Sequence, residues 1–104
     1  MLSEKYRLEA TSQFSQELEQ ALEYIETQLA NPQAADNLQS DVETAVRERL
    51  LAPTAFEEVL SRIDREHSYY RIYVGNYIVF YCVIGKVMEL RRFLYKGRNW
   101  RIQI

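Results

Sequence analysis

The stretch that decides the fold is YYRIYVGNYIVFYCVIGKVMELRRFLYKG, Tyr69–Gly97. It alternates with period two and is filled with Tyr, Ile, Val and Phe, residues that suit a pleated, half-buried surface. Two dipeptides interrupt it, Gly75-Asn76 and Gly85-Lys86. Glycine first in a two-residue loop suits a type II′ hairpin turn, whose first position needs a positive φ. The stretch therefore predicts a meander of three antiparallel strands, Tyr69–Val74, Tyr77–Ile84 and Val87–Tyr95.

These turns imply a register. If Val74 pairs with Tyr77 and Ile84 with Val87, alternation sorts the side chains onto two faces. One face takes Tyr70, Ile72, Val74, Tyr77, Val79, Tyr81, Val83, Met88, Leu90 and Leu94, with Arg92 its single charge, and is expected to pack on helices. The other takes Tyr69, Arg71, Tyr73, Ile78, Phe80, Cys82, Glu89, Arg91, Phe93 and Tyr95. On it Arg71, Phe80 and Arg91 fall in one row, and Tyr73, Ile78 and Phe93 in the next. An exposed sheet face with cross-strand aromatic pairs is the plainer account. So many large apolar groups are too much for a bare surface, however, and interleaved arginines and aromatics can stack bases, hold phosphates or seat an apolar segment. This face is expected to bind a partner. A one-residue slip in either hairpin would invert part of the assignment.

Upstream the period is helical. Lys5–Ala10 reads as a short strand, after which Thr11 or Ser12 can cap a helix carrying Phe14, Leu18, Ala21, Leu22, Ile25 and Leu29 on one stripe. Asn31-Pro32 is a second helix start, with Asn as cap and Pro where no internal N–H bond is lost. Its stripe runs through Ala34, Ala35, Leu38, Val42, Ala45, Val46 and Leu50 and is closed by Pro53. Two antiparallel helices joined by a tight connection follow, and Pro53–Ser68 reads as a loop. The fold class is α+β: a short N-terminal strand, a two-helix hairpin, then the three-strand antiparallel meander.

The chain has 104 residues, the size of one domain spanning 1–104. Its net charge of −2 hides an uneven distribution. Residues 1–52 carry ten acids and four bases, and residues 53–104 carry nine bases and five acids. Such a basic half steers acidic partners or phosphate backbones, unless it simply decorates a solvated sheet edge. A lone Cys82 excludes an internal disulfide and favours a reducing compartment. No apolar run approaches the roughly 20 residues needed to cross a bilayer, and the charged start MLSEKYRLEA is unlike a signal peptide. A cytoplasmic protein with no membrane association is expected. His67 is the only histidine and no zinc spacing or phosphate-cradling glycine loop occurs, so neither metal nor cofactor is expected.

The chain resembles the RelE/ParE superfamily, the toxins of bacterial type II toxin–antitoxin (plasmid-stabilisation) systems. The resemblance rests on Asn31-Pro32 with Ala34-Ala35, on YRIYVGNYIVFYCV at Tyr70–Val83, and on FLYKGRNW at Phe93–Trp100. Tyr70, Arg71, Ile72, Val74, Gly75, Asn76, Tyr77 and Tyr81 match the family's central pattern. It implies a β-α-α-β-β-β sheet with helices on one face and a cognate antitoxin as partner in a toxin–antitoxin hetero-oligomer. Where the ribosome-dependent mRNA interferases of the superfamily carry an arginine after the pattern's tyrosine, this chain has Ile78, which can neither stabilise a scissile phosphate nor move a proton. The ParE-like branch, whose members act on DNA gyrase, resembles the chain better, although its ending usually has Asp where Asn99 stands.

Three functions follow as expectations. The first is growth arrest by binding an essential target, DNA gyrase, without catalysis. The second is an endoribonuclease acting on ribosome-bound mRNA through Arg71, Arg91, Tyr95, Lys96 and Arg98. The third is an inactive member with a binding role only. For binding target or antitoxin, the candidate residues are Arg71, Tyr73, Ile78, Phe80, Arg91, Phe93, Arg98 and Trp100. Glu57-Glu58 and Asp64–Glu66 read as solvated loop charges, His67 as a loop histidine, and Cys82 as a structural thiol.

Overall fold

Alternation and turn chemistry give the strands where the sequence puts them. The computed structural model describes residues 5–64 and 66–104. In chain order the elements are β1 (Arg7–Ala10), α1 (Ser12–Glu23), a π-helical turn (Tyr24–Gln28), α2 (Pro32–Arg49), β2 (Glu58–Val59), β3 (Tyr69–Val74), β4 (Tyr77–Ile84), β5 (Val87–Tyr95) and a 3₁₀ turn (Trp100–Ile102). The start of the N-terminal stretch, Met1–Glu4, lies outside the described residues, as does Arg65.

Both helix starts are set by the expected caps. Thr11 Oγ1 accepts from the Phe14 N–H at 3.1 Å and donates to the Arg91 carbonyl at 3.3 Å, so the same hydroxyl starts α1 and ties it to β5. Asn31 Oδ1 accepts from the Ala34 N–H at 3.1 Å, with Pro32 in the first turn of α2. Between them the helix widens. Thr27 Oγ1 donates to the Glu23 carbonyl at 2.7 Å, a back-bond that competes with regular α-helical pairing. The chain then reverses through Ala30, held at φ 49°, a left-handed conformation that costs an alanine.

The five strands are ordered β1-β5-β4-β3-β2, with β1 parallel to β5 and every other pair antiparallel. Val74 pairs with Tyr77 and Ile84 with Val87, as the turns imply. Gly75 (φ 57°) and Gly85 (φ 61°) supply the positive φ at the first position of each loop. One expectation needs correction. Between Phe80 and Tyr81 the pairing to β5 shifts: Tyr81 faces Leu90 and Phe80 faces Arg92, so Arg91 is the extra residue of a β-bulge. Beyond the bulge the faces exchange. Phe93 points at the helices and Leu94 away from them, the reverse of the regular alternation.

Two apolar layers result. Phe14 of α1 and Leu38, Val42 and Val46 of α2 close over Ile72, Val79, Tyr81, Met88, Leu90 and Phe93 of the sheet. The second layer corrects the expectation of an open partner face. Val59, Tyr69, Ile78, Phe80, Cys82, Leu94 and Ile104 form a smaller core, with Trp100 packed against it. The segment after β5 folds back across the sheet, and Ile78, Phe80 and Cys82 are fully buried beneath it. Ile63 N–H and the Ser61 hydroxyl both donate to the main-chain oxygen of Ile104, pinning that segment to the loop before β3. The alternation was therefore right that these residues could not face water, but intramolecular packing covers them.

Candidate functional site

The candidate residues divide among three places. The first is the outer sheet face. Arg71, on β3, lies within 3.2 Å of Glu57 Oε1 and 5.8 Å from the ring centres of both Tyr73 and Trp100. Tyr73 is 55% exposed. Trp100 tilts against Phe80 with centroids 5.1 Å apart, and Arg101 lies 4.5 Å from its ring centre. Arg71, Tyr73 and Trp100 are thus brought together at the surface, while Ile78 and Phe80 sit beneath them. Phe93, expected on this face, is instead 3% exposed on the helix side, stacked on Tyr77 at 4.9 Å and edge-on to Phe14 at 5.9 Å.

Arg91 is the second place, and the bulge explains it. Its Nη1 lies 3.0 Å from Asp64 Oδ2, its Nε donates to Glu89 Oε1, and it reaches Tyr69 Oη at 3.4 Å. Asp64 is no solvated loop charge: Oδ1 accepts from the N–H groups of Glu66 and His67, and Oδ2 meets His67 Nδ1 at 3.1 Å. The His67 bond first, with the other three helping, outweighs desolvation and lowers the Asp64 carboxyl from 3.8 to about 2. Desolvation works against the Arg91 charge, but Glu89, Tyr69 and Asp64 hold the proton more firmly than usual. Beneath this network burial pushes the Cys82 thiol up to about 11, which leaves it inert at neutral pH.

The third place is the far end of β5. Here Tyr95 is 48% exposed, and Lys96 and Arg98 are exposed with no ion pair among the described residues. Tyr95 meets Tyr77 edge-on at 5.8 Å. Its ring lies over Gly97, where an added Cβ would stand 2.3 Å from the ring. An open groove of about 870 Å³ runs beside it, lined by Tyr24, Leu29, Tyr77, Phe93, Tyr95 and Arg98 among others. Tyr24 and Leu29, at the tip of the helix hairpin, were not among the expected site residues. Leu29 reads as the last member of a buried stripe, yet it is 56% exposed because the chain leaves the helix there.

Two further contacts brace these places. Glu17 of α1 accepts from Arg92 Nη2 at 2.7 Å and Nε at 3.0 Å, and from the Phe93 N–H at 2.8 Å. Arg92 Nη1 also donates to the Gln103 carbonyl, so one guanidinium joins α1 to the segment after β5. At the end of α2, Arg49 donates to Tyr81 Oη at 2.9 Å and lies 3.5 Å from the Phe56 ring centre, while Tyr81 donates to the Pro53 carbonyl at 2.7 Å. No helix among the described residues is long and apolar enough to cross a membrane.

The five residues of the nuclease expectation do not converge. By strand register Arg71 shares the outer face with Phe80, whereas Tyr95 shares the helix face with Tyr77. Arg91 is occupied in its own ion-pair network.

Comparison with known proteins follows the same architecture. No curated protein sequence matches the chain. A solved structure titled "Chromosomal ParDE TA system from P. aeruginosa" superposes with a TM-score of 0.71 at 15% identity, covering 89% of this chain and 98% of that one, and so shares the fold. The archaeal RelE–RelB complex from Pyrococcus horikoshii OT3 gives a TM-score of 0.45 at 21% identity, over 90% and 98% of the two chains. The family described as "ParE toxin of type II toxin-antitoxin system, parDE" matches residues 8–100, from β1 to the tryptophan that covers the outer face. Over that span the strand, helix hairpin and antiparallel meander are the ones described above, and the chain belongs to the ParE toxin family of type II toxin–antitoxin systems.

Proposed function

We propose that this protein arrests growth by binding DNA gyrase without catalysing a reaction, and that a cognate antitoxin neutralises it as a cytoplasmic hetero-oligomer. The supporting observation is the scatter of the groups that RNA cleavage would need. Charge stabilisation and proton transfer require them around one phosphate. Here Arg71 and Tyr95 lie on opposite faces, Arg91 is held by Asp64 and Glu89, and the mid-sheet position is a fully buried isoleucine, Ile78. What the surface offers is suited to binding: a guanidinium, Arg71, between the exposed Tyr73 and the half-buried Trp100. Arginine and aromatic residues are the groups that most often dominate protein interfaces. These three are the target contacts in this reading. The purified protein is expected to inhibit gyrase supercoiling at concentrations that arrest growth, and Arg71→Glu to relieve that inhibition. Supercoiling left untouched well above those concentrations would sink the proposal.

One observation favours the mRNA interferase as the second reading. Tyr95, Lys96 and Arg98 lie together at one strand end, with both cations unpaired among the described residues. Primer extension on translated messages after induction separates the two, because only the interferase introduces new 5′ ends.

A further inference from the structure

The Arg71 cluster already holds a carboxylate, and it is the chain's own. Glu57, in the loop before β2, places Oε1 3.2 Å from Arg71 Nη2. The two partners are held unequally, with the Glu57 side chain 81% exposed and that of Arg71 24%. Arg71 is fixed by its strand and by the rings of Tyr73 and Trp100, each 5.8 Å from its guanidinium carbon. Glu57 reaches in from a loop and makes no other side-chain bond among the described residues. An ion pair so exposed is weakly held, because water screens it and a long side chain loses freedom to make it.

A second guanidinium completes the cluster. Arg101 lies 4.5 Å from the Trp100 ring centre, is exposed, and has no ion pair among the described residues. Trp100 is itself anchored, tilted against the buried Phe80 over the smaller core. One indole thus carries two guanidinium groups against a single carboxylate, a local excess of one positive charge. Each guanidinium presents a planar fork of donors that matches a carboxylate. The anion that Arg71 holds in the structure is of that kind, which favours an acidic protein segment over a phosphate backbone.

We infer that Glu57 is a placeholder: it occupies the position on Arg71 that a carboxylate of the target takes, while Arg101 pairs with a second acid of the same segment. The inference rests on the gyrase reading and deepens it, giving the target segment its chemistry: acidic, with an apolar side chain to lie on Tyr73 and Trp100. The test measures the affinity of full-chain variants for purified gyrase holoenzyme by biolayer interferometry, with and without a linear DNA duplex. Glu57→Gln removes the competitor and is expected to bind about two- to fivefold more tightly than wild type, the range of an exposed ion pair. In an Arg71→Ala background the same substitution should change nothing, since the group being competed for is gone. Arg101→Glu should weaken binding about tenfold or more, and Arg101→Lys by less. Thermal melts matching wild type would show that the variants fold. A Glu57→Gln variant that binds no more tightly, or whose gain survives in the Arg71→Ala background, would overturn the inference. An Arg101→Glu loss seen only with the duplex present would also overturn it and assign the cluster to phosphates. A wild-type protein that does not bind gyrase, with or without duplex, would overturn the gyrase reading and the inference that rests on it.

Discussion

Removing the Glu17 carboxylate tests how much of this fold depends on one contact at the edge of β5. Glu17 meets Arg92 through two nitrogens and also accepts the Phe93 N–H, with the two side chains only 17% and 13% exposed. Glu17→Ala therefore leaves the Arg92 guanidinium with the Gln103 carbonyl but no counter-charge, and takes the acceptor from the Phe93 N–H, where little water reaches. Breaking a buried pair from one side costs about 3–5 kcal/mol, and the remaining exposure brings the expected loss to about 2–3 kcal/mol. At about 4–8 °C per kcal/mol for a domain of this size, Tm should fall by roughly 8–24 °C. The assay is urea unfolding of the wild type, Glu17→Ala, Arg92→Ala and the double variant. The double variant should lose at least ~1 kcal/mol less than the sum of the singles, because neither charge is then left alone. Glu17→Gln should recover part of the loss, since its amide oxygen can still accept from Phe93. Single variants within about 0.5 kcal/mol of wild type, or strictly additive losses, would refute the reasoning.

Three other outcomes are expected. Ala30→Gly should raise stability by about 1 kcal/mol by relieving the positive φ, and an unchanged or lower urea midpoint would contradict that. The folded Asp64 carboxyl sits near 2, below its ordinary 3.8, so its contribution is complete above about pH 4 and is lost as pH falls towards 2. Urea midpoints at pH 6 and pH 2.5 should therefore converge less in the wild type than in Asp64→Asn, and equal acid losses would refute the assignment. Ile104→Ala, at a position 1% exposed, should cost about 2–4 kcal/mol, whereas a surface-like loss below 0.5 kcal/mol would mean that the covering segment is not anchored there.

Where the signals are local, the sequence was legible. Thr11, Asn31-Pro32, Gly75 and Gly85 each act within a few residues, and each cap or turn forms as expected. The bulge was not legible because the pattern around it is degenerate. In ELRRFLY, Glu89–Tyr95, the doublets Arg91-Arg92 and Phe93-Leu94 read alike in either register, so nothing in the alternation marks where a residue is inserted. Non-local packing hid the rest. Val59 and Ile104 come from segments without a clear period, and their burial over Ile78, Phe80 and Cys82 is decided by tertiary fit. The site followed the same division. Arg71, Tyr73 and Trp100 meet as a surface cluster, but Phe93 left the face because of the bulge, and the hairpin tip joined β5 only through the three-dimensional fold.

The edges of the sheet carry one more consequence. β1 pairs with β5 only from Val87 to Leu90, and just beyond it the side chain of Glu17 occupies the hydrogen-bonding position of Phe93 that another strand would use. The opposite edge is the two-residue β2. A carboxylate on one border and a very short strand on the other leave little backbone on which a second molecule could template itself, the route by which exposed sheets begin to aggregate. A five-stranded protein rich in Tyr, Ile, Val and Phe is in this way guarded against fibril growth by a helix side chain, so Glu17→Ala should increase turbidity on storage as well as lower the melting temperature.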